Sequence, residues 1–243
     1  MNVPPMKKLI LISALLLAHL VGLAQTSSFF TDADAFFAKN VRSGLVDYKG
    51  IKENPAELKK LVNAIGSFPL SASDKSTQKA FLINAYNILV IGNVVGLYPV
   101  ARPTDIPGFF DVTKFNLAGT QLTLSDIENK KIRPVFKDPR IHFALVCAAM
   151  SCPPIANYAF TPMNVESKLE AITRDALNNN GFIKVNSDNK TVQFSRILDW
   201  YKDDFLAQSK SVLDYINQYR KTPIPSSFKQ SFYEYNWSLN AKI

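Results

Sequence analysis

The chain has 243 residues, 47% of them apolar, with 28 lysines and arginines against 20 acidic residues and a formal net charge of +8. This composition excludes a disordered chain and supplies enough apolar side chains for a packed core. The basic residues are scattered rather than gathered along one face, which argues against a nucleic-acid partner.

At the N-terminus, Lys7 and Lys8 precede an apolar run from Leu9 to Ala24 that Ser13 and His19 interrupt. The run is about 16 residues, shorter than the roughly 20 that span a bilayer as a helix. Gly22-Leu23-Ala24 offers small residues at the −3 and −1 positions of a signal-peptidase site. The expectation is a signal peptide over residues 1–24, cleavage before Gln25, and export to the periplasm or beyond. Residues 25–243 are then expected to form a single domain. No later stretch reads as long and apolar enough to cross a membrane, so no stable membrane span is expected after cleavage.

Phe29 to Val41 reads as the first helix, and Pro55 to Ile65 as the second, with Leu58, Leu61, Val62 and Ile65 at helical spacing. Ser73 or Asp74 can cap a long helix that runs through Phe81-Leu82-Ile83-Asn84-Ala85-Tyr86-Asn87 to about Val95, before Gly96 and Pro99 end it. It is apolar nearly all round and is expected to be the central buried helix.

After an irregular stretch, Phe115 to Leu122 reads as a hairpin around Ala118-Gly119. Ser125 and Glu128 suggest a capping box for a short helix that Pro134 stops. Ile141 to Cys147, short and rich in branched and aromatic residues, reads as a buried strand. Asn164 opens an amphipathic helix to about Asn178. Phe182–Val185 and Thr191–Phe194 form a second hairpin, helices follow near Ile197–Tyr201 and Ser211–Tyr219, and the Phe232–Trp237 tail returns as a strand or cover. Helices and hairpins without regular alternation indicate an α+β fold, a single domain whose central apolar helix packs on a small mixed or antiparallel sheet.

Both cysteines, Cys147 and Cys152, lie within ten residues of His142, and the other histidine, His19, falls in the signal segment. Any chemistry that needs an imidazole or a thiol in the mature chain therefore centres on this segment.

Three blocks resemble the DUF547 family: Phe81 to Asn87, then Asp138 to Cys147 with Ser151-Cys152-Pro153-Pro154, and finally Tyr235 to Asn240. Tyr98-Pro99-Val100, Trp200-Tyr201 and Asp204-Phe205 are similar to intervening family signatures. The family's name denotes a domain of unknown function, so the resemblance implies a site region and no reaction.

Four readings of the segment stand open. In the first, Cys147 is a nucleophile, His142 its base, and Asn84 or Asn87 orients the imidazole, giving a hydrolase or acyl transferase. A regular strand would place His142 and Cys147 on opposite faces about 16 Å apart, so this reading requires a sharp bend between them. In the second, Cys147 and Cys152 form a local disulfide in a non-catalytic domain that binds a ligand or protein. A metal site fits poorly, since the H-x4-C-x4-C spacing matches no usual zinc pattern, and a redox site lacks C-x-x-C. No metal and no cofactor is expected, and the partner is an unknown small molecule or peptide.

Arg140, placed two residues before His142 on the same strand face, is a binding candidate with Asn87, Cys152 and Tyr201. Arg174 is a further candidate through its place on a family-like helix, against a plainer role as a surface ion-pairing residue. His142 is expected to be buried beside the main pocket and met by the polar face of the Asn84 helix, since buried polar groups need partners.

Overall fold

The computed structural model describes residues 26–242, so the signal-peptide expectation and His19 lie outside the described residues. Residues 26–40 form α1. A short antiparallel pair, β1 (Val41–Arg42) and β2 (Leu45–Val46), leads into α2 (Tyr48–Glu53) and α3 (Ala56–Ser67). Next comes α4 (Lys75–Leu97), whose first turn is capped by the Asp74 carboxylate accepting the Thr77 N–H at 2.7 Å. Its residues from Ala80 to Ile91 are all buried, and α2, α3, α5 and α7 surround it. The hairpin β3 (Lys114–Leu117) and β4 (Thr120–Thr123) turns at Ala118-Gly119, both at positive φ.

The chain then runs as α5 (Leu124–Asp126), a π-helical stretch at Ile127–Ile132 and α6 (Arg133–Phe136). A 3-10 helix at Pro139–Phe143 precedes α7 (Val165–Asn178). The remaining elements are β5 (Ile183–Asn186), β6 (Thr191–Phe194), α8 (Ile197–Trp200), α9 (Lys202–Leu206), α10 (Val212–Tyr219) and β7 (Lys229–Phe232). β6 pairs antiparallel with β5 and parallel with β7, which makes a small mixed sheet. The fold is α+β with helix predominating.

Three sequence expectations are corrected. The capping box is formed by Thr123 and Asp126, not by Ser125 and Glu128, because Glu128 lies inside the π-helical stretch and turns inward. Pro134 stands in the first turn of α6 instead of ending a helix. The chain breaks at Lys137, which adopts φ 49°. Finally, α4 is long and apolar enough to cross a membrane by length and composition, with a mean hydropathy of 1.7, contrary to the expectation that no such stretch follows the N-terminus. The rest of the protein buries 78% of that window, as suits a core helix.

The expected strand at Ile141 to Cys147 is also absent. Pro139 fixes the backbone of the first turn, and the Asp138 carboxylate accepts the Arg140 N–H at 3.1 Å, which winds the chain into the 3-10 turn. An apolar run signals burial, and here the local turn chemistry decided which buried conformation it took.

Buried side chains gather in two clusters, one around α1 to α7 and one around the mixed sheet, α8, α9 and α10. Ile141 belongs to the first and Phe143 to the second, so the 3-10 helix joins them with His142 at the seam.

Candidate functional site

α4 holds the segment around His142 in place. Asn87 donates from Nδ2 to the Ala144 carbonyl at 2.9 Å and accepts the Val146 N–H on Oδ1 at 3.1 Å. Asn84, one turn earlier, makes the same double contact with Phe160, at 2.6 and 3.0 Å. Both asparagines are buried and spend their amides on loop backbone. Neither is bonded to His142, so the orienting role foreseen for Asn84 is not what its contacts show.

His142 is 3% exposed. Its Nε2 lies 2.7 Å from Asp204 Oδ2, and its ring stacks on Tyr201 at 3.8 Å between centroids. Asp204, from α9, is clamped from behind by Arg133, whose Nε and Nη2 donate to Oδ2 and Oδ1 at 2.7 and 3.0 Å. The hydrogen bond from His142, with that of Arg133 added, outweighs desolvation and holds the Asp204 carboxyl far below the usual carboxylate range. The partner of the imidazole is thus a carboxylate that sequence reasoning passed over. The available signal was Asp204-Phe205 among the family-like residues.

Past Val146 the chain turns sharply at Ala148, buried and at φ 60°, a backbone region costly for a residue with a Cβ. The C-terminal block fastens this turn. The Asn240 N–H donates to the Ala148 carbonyl at 3.0 Å, and the Met150 and Ser151 N–H groups donate to Ser238 and Asn236 at 2.8 and 3.1 Å. This pairing brings the Tyr235 hydroxyl to 3.1 Å from Cys147 Sγ.

Cys152 Sγ lies 2.8 Å from Cys147 Sγ, and the two are unbonded, since a disulfide closes to about 2.05 Å. Burial raises the Cys147 thiol, but hydrogen bonds from Cys152 and Tyr235 prevail and hold it below its ordinary value. Burial and the neighbouring Cys147 push Cys152 up. The two thiols are thus driven apart, Cys147 toward the thiolate and Cys152 toward the protonated form.

His142, Cys147, Cys152 and Tyr201 all line one cavity of about 230 Å³ in the seam between the two clusters. The imidazole and the Cys147 thiol face it together without a direct hydrogen bond. The 3-10 turn at Pro139–Phe143, in place of a strand, lets both side chains reach that cavity. Glu128 closes one wall, with the Tyr86 hydroxyl at 3.3 Å, and burial together with its charge pushes the Tyr201 hydroxyl up. Among the described residues, no group of three or more His, Cys, Asp and Glu side chains is arranged to hold a metal ion.

Besides Asn87, which is spent on loop backbone, two more binding candidates stand apart from the cavity. Arg140 is not on a strand face with His142. It is bidentate to Asp138 at 2.9 and 2.8 Å and reaches Glu166 at 2.5 Å, in a network that Lys79 completes. Arg174 pairs with Glu170 one helical turn away and lies over Tyr219, a surface arrangement.

The family model described as "Protein of unknown function, DUF547" matches residues 70–176 and supports the DUF547 assignment. The matched span contains Glu128, His142 and both cysteines, while Asp204 and Tyr235 lie beyond it. No curated protein and no solved structure matches the chain.

Proposed function

We propose that this DUF547 protein is an exported thiol-dependent hydrolase or acyl transferase, with Cys147 as nucleophile and His142 as base. The observation that carries the reading is the His142–Asp204 contact at 2.7 Å, opening on the same cavity as a thiol held below its ordinary value. A carboxylate on one imidazole nitrogen fixes the ring and its tautomer and leaves the other nitrogen for proton transfer. The Cys147 thiolate attacks an acyl carbon and forms a thioester. In that step His142 holds the proton taken from the Cys147 thiol and gives it to the leaving group as the acyl bond breaks. It then takes a proton from water or a second nucleophile, which attacks the thioester and restores the thiol. Cavity walls of tyrosine and tryptophan suit a small molecule or peptide end.

The test is covalent trapping. Reduced protein treated with an activated ester is expected to carry one acyl group on Cys147, located by peptide mass spectrometry, with His142→Ala slowing its formation about 100-fold or more. Acylation that is unaffected by His142→Ala would overturn the assignment.

A second reading is favoured by the 2.8 Å approach of the two sulfurs. Here Cys147–Cys152 closes to a disulfide and the domain binds its ligand without catalysis. Titration of thiols in unreduced, exported protein separates the two, because a disulfide sulfur is no resting nucleophile. Two free thiols support the enzyme, and none supports the staple.

A further inference from the structure

The cavity has an electrostatic character that the thiol chemistry does not use. Although the chain carries 28 lysines and arginines, none among the described residues lines the cavity. Six aromatic side chains do: Tyr86, Phe110, Trp200, Tyr201, Tyr235 and Trp237. Trp200 and Trp237 stack on one another at 5.9 Å, with Tyr235 at 4.8 Å from each, so the three form a continuous aromatic wall.

The same cavity is lined by one carboxylate, Glu128, only 7% exposed. It accepts a hydrogen bond from the Tyr86 hydroxyl at 3.3 Å, the Tyr201 hydroxyl is a neighbour, and among the described residues it has no direct ion pair. The nearby cation, Arg133, is already committed to Asp204 through two bonds and to Asn129 Oδ1 at 2.6 Å. Glu128 sits on the π-helical stretch Ile127–Ile132, a distortion of the kind that recurs at functional sites and re-aims side chains inward. A buried carboxylate with no direct ion pair, in a cavity lined by aromatic side chains, is the kind of arrangement that binds an organic cation.

We propose that the cavity is an aromatic cage for an ammonium group, with Glu128 as its counter-ion, so that the substrate of the Cys147 site carries a cationic amine or quaternary ammonium. This deepens the thiol-enzyme reading, naming its substrate class, and rests on it only for the step that follows binding. The cation gains ring-face attraction from Trp200, Trp237 and Tyr235, and Glu128 supplies the opposite charge. A neutral group of the same shape gains the apolar contact alone.

Both tryptophans of the chain line the cavity, so intrinsic tryptophan fluorescence reports on this site. The experiment titrates reduced mature protein with choline and, separately, with 3,3-dimethylbutan-1-ol, its uncharged isostere. Choline is expected to saturate the signal with an affinity about fivefold or more above that of the alcohol. Glu128→Gln, which keeps a hydrogen-bonding group for Tyr86 and Tyr201, is expected to remove that preference, with folding checked by circular dichroism. A smaller ratio in the wild-type protein, or no saturable response to choline, overturns the cage whatever the variant does. The titration does not need the thiol. A failed cage beside successful acylation of Cys147 removes the substrate class alone, and a binding cage beside an inert thiol removes the enzyme alone.

Discussion

His142 Nε2 lies 2.7 Å from Asp204 Oδ2, although 62 residues separate them in the chain. The contact joins the 3-10 helix of one core cluster's edge to α9 of the other, and Arg133 makes it rigid by holding both Asp204 oxygens. An imidazole anchored on one nitrogen by a clamped carboxylate has a fixed tautomer and a fixed direction for the other nitrogen. Tyr201, stacked on its face, removes the remaining rotational freedom.

Asp204→Asn tests that relationship. The amide keeps the shape and loses the charge that supports a protonated imidazole, so turnover of an activated ester is expected to fall about 100-fold or more. Stability should fall by only about 1 kcal/mol, since the Arg133–Asp204 pair is partly solvated. Arg133→Gln leaves the His142–Asp204 contact in place and is expected to cost less activity than Asp204→Asn. Equal losses in the two variants would contradict the assigned order of roles.

The two asparagines of α4 give a paired prediction. Asn87→Ala and Asn84→Ala each strip two hydrogen bonds from buried backbone, and each is expected to cost about 2–4 kcal/mol in urea unfolding. Only Asn87 holds the link between His142 and Cys147. Its variant alone should also slow alkylation of Cys147 by iodoacetamide under conditions where both proteins remain folded. Matching alkylation rates would show that the loop holds its shape without Asn87.

How much of this was legible in the sequence depended on how local the cause was. The all-round apolar pattern from Ala80 to Ile91 announced a core helix, and Asp74 announced its start. The hairpins near Ala118-Gly119 and Ser187–Lys190 were visible because turn chemistry is local. The Ile141–Cys147 run misled, because burial was clear but Asp138-Pro139 set a 3-10 turn that hydrophobic pattern does not register. The segment holding His142 and Cys147 could be singled out from rarity alone. Its partners could not, because Asp204 and Tyr235 arrive by tertiary packing of chain lying 62 and 88 residues away. Glu128 was read as a capping residue for a local reason: three-residue spacing fitted a motif that the neighbouring Thr123 and Asp126 took instead.

Cys152→Ala tests the division of labour between the thiols. Cys152 supplies a hydrogen bond that lowers the Cys147 thiol, so its removal moves that thiol upward. Alkylation consumes the thiolate, and its rate therefore rises with pH. The variant's whole rate profile should shift to higher pH, with a several-fold slower reaction at neutrality. Tyr235→Phe removes the other side-chain donor and should shift the profile in the same direction. A profile that stays in place in both variants would mean that neither donor stabilises the thiolate.

Acid stability turns on Asp138. Its side chain, 10% exposed, accepts from Lys79 at 2.5 Å and from Arg140 at 2.9 and 2.8 Å, and it also caps the 3-10 helix that carries His142. Burial raises its carboxyl, but the hydrogen bonds and charges of Arg140 and Lys79 prevail and lower it. A carboxyl that is lower in the folded than in the unfolded state contributes stability that is complete above its unfolded value of about 3.9. That contribution is lost as the pH falls through the lower, folded value. Asp204, also lowered, acts with the same sign. The urea midpoint of the wild-type protein is therefore expected to hold steady from neutrality to about pH 5 and to drop below about pH 4. Asp138→Asn should lose about 3 kcal/mol at pH 7, because Lys79, with a side chain only 9% exposed, keeps just the more exposed Glu166 as counter-charge. The same variant should show a shallower decline in acid than the wild type, having already lost what protonation removes. An equally steep acid decline in Asp138→Asn would place the acid-sensitive carboxyl elsewhere in the protein.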